Sequence, residues 1–451
     1  MTFKSLKAFV ILFALPGAIQ AATLDSVPAP LRPALHDALA KHAVVTVPTD
    51  WTEQKVTASD GAAGDLLGFS VAIDGNTALI GAVKGAAAPG GSDNGSPGAV
   101  YVFVNQGGTW TETQELNADD AVDNDQFGTA VSLKGDTAII SAATATVDGN
   151  DHQGAAYIFN QAGGTWTQTQ KLVADDGAAG DQFGWTVALD GTTAVVGANG
   201  NNAAQGAAYV FTLDGGSWSQ SAKLTADDGV GNDQLGYAVA IRGTTAMIAA
   251  PNATVGANVA QGAVYVFDGS GGAWTQTQKL SNDDGTANQN FAFSLAFDGT
   301  TLLSSAPFAT VGDNMFQGAV YAFTNDGTEW TQSQKIVADD GLAFDVFGVS
   351  LSIDGTDAVI TAPFFNGSQG TAYLFSNSDG SGWVQQQKFV ASDAVAGEGA
   401  AFGYAGAVSN GQIVIGQSLA NIDGNTYQGA AYFYSQPPSD VIFADGFDGT
   451  P

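Results

Sequence analysis

Seven tryptophans, Trp51, Trp110, Trp166, Trp218, Trp274, Trp330 and Trp383, recur at a near-constant interval along this 451-residue chain. Each is followed by an acidic loop, a Phe-Gly-like pair, an apolar run and a Gly-Ala-x-Tyr-x-Phe-like segment. A motif returning with a period in the mid-fifties builds one supersecondary unit per copy, and each unit buries its apolar faces only against its neighbours. The array therefore reads as one structural unit, not as two or three ordinary domains.

The stretch from Phe183 to Leu235 shows the unit most plainly. Phe183 to Leu189 alternates large and small residues as a strand packed on both faces does. Asp190-Gly191 signals a tight hairpin. Thr193 to Ala198 is a nearly all-apolar second strand, and a Gly/Asn/Ala loop leads to a third, Gly206 to Phe211. A glycine turn at 214–216 opens a fourth strand from Trp218 to Leu224. Seven four-stranded antiparallel sheets arranged radially make an all-β, seven-bladed β-propeller spanning 51–435. The last unit stops after three strands at Pro437-Pro438, while residues 51–57 precede the first Leu67-Gly68 pair with no local partner. The N-terminal strand 51–57 is therefore expected to complete the last blade and close the ring.

Lys171, Lys223, Lys279, Lys335 and Lys388 each lie five residues after a tryptophan, and Lys55 lies four after. On an exposed outer edge strand, outward-pointing lysines guard against edge-to-edge pairing. That is the reading the spacing favours.

The Phe-Gly pairs, with Gly81-Ala82, Gly197-Ala198, Ala250-Pro251, Ala306-Pro307 and Ala362-Pro363, resemble the FG-GAP repeats of integrin α-subunit propellers over Trp51 to Tyr434. Bacterial secreted proteins with the Asp-Asp-Gly…Phe-Gly and Gly-Ala-Tyr-Val-Phe pattern look closer still. The resemblance implies a seven-bladed propeller and extracellular binding or adhesion. Integrin-type blades often carry a calcium loop between first and second strands. Here that connection is a tight turn, such as Asp190-Gly191 or Asp354-Gly355, with no room for six to eight oxygen ligands.

Acidic loops between the units contain Asp119 with Asp125, Asp175 with Asp181, Asp227 with Asp233, and Asp339 with Asp345. Clustered carboxylates suit a hard cation such as Ca²⁺. They equally suit a turn in which Asp side chains accept backbone N–H groups, with Gly177, Gly229, Gly285 and Gly341 supplying backbone freedom. Repetition in every unit, and Gln289 in place of the third acid in the fifth, favour the turn. No cofactor is implied beyond that Ca²⁺ alternative.

A formal net charge of -31 with only 13 basic residues argues against nucleic acid as a partner, because phosphate binding needs clustered Lys and Arg. Lys4 and Lys7, the apolar run Ala8 to Leu15 and the small-residue site ending at Ala21 read as a signal peptide, 1–21. Residues 22–50 form a leader in which Leu31 to Lys41 is compatible with a short helix. Residues 436–451 form a C-terminal tail. No segment reaches the roughly 18 unbroken apolar residues of a membrane span. The chain has no cysteine, so its stability outside the cell must come from packing and ring closure, not disulfides.

Catalysis finds little support in the sequence. Of three histidines, His36 and His42 lie in the leader and only His152 lies in the ring. No thiol nucleophile exists, no phosphate-binding loop appears, and no carboxylate pair stands out. Topology places the second-to-third loops and the inter-unit loops on one side of the disc, where Phe308, Phe316, Phe364, Phe365 and Tyr427 are candidate binding contacts or plugs of the propeller's own top. The sequence thus points to a secreted or cell-surface, monomeric, non-enzymatic module that binds an extracellular protein or glycan. A polysaccharide lyase or hydrolase with its site in the central funnel, and a purely structural surface protein, are the competing classes.

Overall fold

The computed structural model describes residues 51–83, 96–270, 272–394 and 399–436. The signal peptide and leader expected over 1–50, and the tail beyond Gln436, lie outside the described residues. Twenty-eight strands form seven four-stranded antiparallel sheets, each in simple up-and-down order. Blade 1 comprises Leu67–Asp74, Thr77–Ala82, Ala99–Gln106 and Thr109–Leu116. Blades 2 to 6 repeat this plan from Phe127 to Phe389.

Blade 7 supplies Gly406–Ser409, Gln412–Gln417 and Ala430–Ser435 from the end of the chain. Its outer strand is Thr52–Val56, paired antiparallel with Ala430–Ser435 in the register Thr52 to Ser435 through Val56 to Ala431. The N-terminal strand thus closes the ring, as the strand count demanded.

Turn and strand chemistry follow the sequence with small offsets. In blade 3 the first hairpin turn is Gly191-Thr192, because the strand runs on through Asp190. Second strands are almost wholly buried and apolar, as in Thr193–Ala198. Outer strands alternate buried and exposed positions, as in Ser217–Leu224, because only one row of their side chains meets a core.

The same contacts join each blade to the next. The backbone N–H that opens each first strand donates to the residue before the preceding blade's Gly-Ala pair, as Phe183 to Gln153 at 2.8 Å and Phe291 to Gln261 at 2.7 Å. At the closing seam, Leu67 donates to Gln428 at 2.9 Å in the same way. In the seam between blades 1 and 2, Gly98 has φ +95°, and a Cβ there would overlap the Phe127 backbone. Gly128 opposite, at φ +93°, would meet the Ala99 carbonyl. The recurring glycines are therefore what lets neighbouring blades approach backbone to backbone.

A second device is a glutamine three residues after Trp51 and four after Trp110, Trp166, Trp274 and Trp330. Gln114 accepts from the Trp166 N–H at 2.9 Å and donates to its carbonyl at 2.7 Å. Gln54, Gln170, Gln278 and Gln334 latch Trp110, Trp218, Trp330 and Trp383 in the same two-bond way. Blade 3 has Ala222 at this place, and Trp274 opposite is half-buried where the five latched tryptophans are buried.

First strands line the central channel. Its half nearer the short turns holds a cavity of about 290 Å³, with Asp74, Lys134, Arg242, Asp354 and Ser409 among its lining residues. Side chains at that rim cap the next blade's turn: Asp74 accepts from Gly135 N–H at 2.7 Å, Asp190 from Gly243 at 2.7 Å and Asp354 from Asn410 at 2.6 Å. Among the described residues no helix is long and apolar enough to cross a membrane.

Candidate functional site

The acidic loops divide their carboxylates among three jobs. At the first position, the backbone N–H groups of Asp119, Asp175, Asp227 and Asp339 donate to Gln168, Gln220, Gln276 and Gln385 of the following blade's outer strand, at 3.0 to 3.1 Å. Their side chains are exposed. At the third position, Asp125, Asp181, Asp233 and Asp345 are buried, and each accepts the N–H three residues earlier, at 2.7 to 2.9 Å. Burial pushes the Asp125 and Asp233 carboxyls above their ordinary range, with the Val122 and Val230 N–H groups opposing it. Among the described residues no group of three or more His, Cys, Asp or Glu is placed to hold a metal ion.

The second acid of each loop corrects the reading of the lysines. These do not stand free as edge guards. Lys171, Lys223, Lys279, Lys335 and Lys55 pair with Asp120, Asp176, Asp228, Asp284 and Asp393 at 2.5 to 2.7 Å, and Lys388 pairs with Asp340. The same carboxylates accept the hydroxyl of the buried third-strand tyrosine, as Tyr209 to Asp176 at 2.9 Å and Tyr265 to Asp228 at 2.8 Å. Each ammonium also lies 5.2 to 5.6 Å from the centre of that tyrosine ring. Lysine stems run back over the sheet and the charge is shared, because a carboxylate, a hydroxyl and a ring face all converge there. Burial opposes ionisation of Asp176, but the Lys223 ammonium and Tyr209 hydroxyl hold it below the usual carboxylate range. Burial, then the Asp176 hydrogen bond, pushes the Tyr209 hydroxyl far above its ordinary value. Blade 1 carries Glu115 at the lysine's place, and Tyr101 still donates to Asp60 at 2.6 Å.

The loop face differs from blade to blade. In every inter-blade loop the residue before the Phe-Gly-like pair has positive φ: Leu66, Gln126, Gln182, Gln234, Asn290, Val346 and Ala401, at 53° to 59°. This backbone is costly for a β-branched residue such as Val346. Three residues later, at the channel's loop end, stand Phe69, Thr129, Trp185, Tyr237, Phe293, Val349 and Tyr404. The two positions together divide the face into arcs. In blades 3 to 5 an amide is followed by an aromatic ring. In blades 6, 7 and 1 both positions are apolar or aromatic. In the second arc Leu66, Val83, Ala401 and Leu419 form a buried cluster against Phe69, Tyr404 and Tyr427. In the first, Trp185 lies 5.6 Å from Tyr237, and Tyr237 lies 5.1 Å from Phe293, between ring centres.

The five sequence candidates fall around these arcs. Phe308 lies 6.1 Å from Phe293 and 6.0 Å from Phe316, which in turn meets Phe344 at 5.8 Å. Phe308, Phe364 and Tyr427 are half-buried. Phe316 and Phe365 are buried, and Lys388 Nζ lies 3.3 Å from the Phe365 ring centre. His152 is exposed, with Nε2 3.9 Å from Asp151. Sequence reasoning passed over Trp185, Tyr237 and Phe293. The available signal was the eighth tryptophan, Trp185, the one that stands off the repeat.

A family model described as FG-GAP repeat matches seven segments, 51–103, 110–159, 166–211, 218–267, 274–323, 330–375 and 383–434. No curated protein matches the chain.

Proposed function

The chain belongs to the FG-GAP repeat family, and from that premise we propose that it is a secreted or cell-surface, monomeric, non-enzymatic module that binds an extracellular partner through its loop face. FG-GAP propellers are commonly binding or adhesion modules, generally not enzymes, and typical of extracellular and cell-surface proteins. One observation carries the reading. Seven blades share one seam geometry and six of them one Lys-Asp-Tyr triad, yet the residues at the loop face change from blade to blade. A rigid scaffold presenting varied loops is how binding surfaces are built. Phe308, Phe364 and Tyr427 are proposed contacts at the rim of that face.

The test is a printed array of extracellular proteins and glycans probed with the mature protein. A hit is expected to weaken in Phe308→Ser and Phe364→Ser, and to persist in Val384→Ser, a change at an exposed outer-strand position. A hit indifferent to both loop-face changes, or no hit at all, contradicts the proposal.

A further inference from the structure

We infer that the amide–aromatic arc of blades 3 to 5 binds a neutral polysaccharide chain, an inference that rests on the loop-face reading and gives it a ligand class. The same turn presents both kinds of group. Trp185 N–H donates to the Gln182 carbonyl at 3.0 Å, and Tyr237 N–H to the Gln234 carbonyl at 3.1 Å. An amide and a ring three residues later thus leave one tight turn, and Asn290 with Phe293 repeats the spacing. Trp185 and Phe293 are half-buried, and Tyr237 between them is buried. Their neighbouring rings form a stepped apolar platform at the channel's mouth.

The amides beside this platform are ordered in one direction. Asn290 Nδ2 donates to Asn252 Oδ1 at 2.7 Å, and Asn252 Nδ2 donates to Gln234 Oε1 at 2.7 Å. That relay leaves the Gln234 amide N–H groups at one end and Asn290 Oδ1 at the other. A ligand that both donates and accepts, through hydroxyls set around a ring with apolar C–H faces, meets both ends and the platform together. Sugars have that chemistry.

Charge narrows the class. The buried acids of this arc, Asp181 and Asp233, accept backbone N–H groups of their own loops, and Asp181 also the Asn201 amide, so both are engaged within the protein. The chain's net charge of -31 repels polyanions. What remains is an uncharged glycan.

Affinity electrophoresis of the mature protein tests this, in native gels cast with neutral β-glucan, xylan or galactomannan, and with anionic alginate as control. At least one neutral polysaccharide is expected to retard the protein. Trp185→Ala should weaken that retardation about tenfold, equivalent to about 1.4 kcal/mol, and Trp185→Phe should largely keep it. Asn252→Ala gives an independent reading through the relay, and melting curves confirm that each variant is folded. No retardation by any neutral gel, retardation by alginate alone, or retardation of folded Trp185→Ala and Asn252→Ala as strong as that of the wild type overturns the inference. A protein hit on the array that depends on Phe308, with no neutral gel retarding the protein, would overturn the glycan assignment and leave the loop-face reading standing. Failure of both experiments removes both.

Discussion

Two arcs of one face have been given opposite chemistry on the same backbone. In blades 7 and 1, Leu66, Ala401 and Leu419 pack into a closed apolar cluster beneath Phe69, Tyr404 and Tyr427. In blades 3 to 5 the equivalent positions are Gln182, Gln234 and Asn290 beside Trp185, Tyr237 and Phe293. The strained positive φ is the same in both, so the backbone does not demand either composition. Apolar packing lies where the chain's two ends meet and the ring needs a seal. Amides lie where the chain is continuous and the ring holds without them. Stability and recognition are thereby assigned to different sectors.

The largest expected effect breaks the first sector outright. Deleting residues 51–57 removes the outer strand of blade 7, exposing the edge of Ala430–Ser435 and the core around Val56 and Trp51. A loss of roughly 5 kcal/mol or more is expected. Thermal unfolding at the wild-type midpoint would contradict it. Next comes Leu66→Ala, a change at a fully buried side chain, which should cost about 2–5 kcal/mol by leaving a cavity. If the arcs are separate, denaturant unfolding registers this loss while polysaccharide retardation of the folded protein is unchanged.

Acid should weaken both arcs, because Lys-Asp-Tyr triads stand in every blade but blade 1. Asp120, Asp176, Asp228, Asp284 and Asp393 lie below the usual carboxylate range: burial opposes this in each, but the paired lysine and tyrosine outweigh it. A depressed folded pKa means these groups stabilise the fold above about pH 4, the unfolded value. The stabilisation is lost as pH falls through the lower folded values. Asp125 and Asp233, raised by burial, act in the opposite sense and are fewer. Melting temperature should therefore fall between about pH 4 and pH 2, and Asp176→Asn should flatten that dependence. A melting temperature level across the range contradicts the triad account.

The smallest effect sharpens the second arc. Ala222 leaves the seam between blades 3 and 4 without the glutamine latch that five other seams carry. Ala222→Gln should add about 0.5–1.5 kcal/mol if it bonds the Trp274 backbone as its counterparts do. Unchanged or lower stability in denaturant would show that this seam is shaped differently.

Much of this was legible in the sequence because the repeat leaves little choice. Counting strands from Leu67 to Tyr434 exposed one missing strand and one spare, and the closure followed. The tryptophans, Phe-Gly pairs and hairpins marked the blades within a residue or two. The lysines were misread because their partners lie far off in the sequence, about 50 residues earlier as in Lys171 to Asp120 or across the ring closure as in Lys55 to Asp393, and at such distances spacing says nothing about contact. The glutamine latch was missed for the same reason. On the loop face, attention went to the long second-to-third loops and reached Phe308 and Phe364. The aromatic arc instead follows the Phe-Gly pairs, where position varied while its neighbours repeated.

Fluorine NMR of protein labelled with 5-fluorotryptophan tests the central claim most directly. Of eight tryptophans, seven mark the outer strands and Trp185 alone stands on the loop face. Titration with short oligosaccharides of whichever neutral polysaccharide retards the protein should move one resonance, the one that disappears in Trp185→Phe. Eight stationary resonances, or movement confined to an outer-strand tryptophan, would contradict the division of the face into a sealing arc and a binding arc.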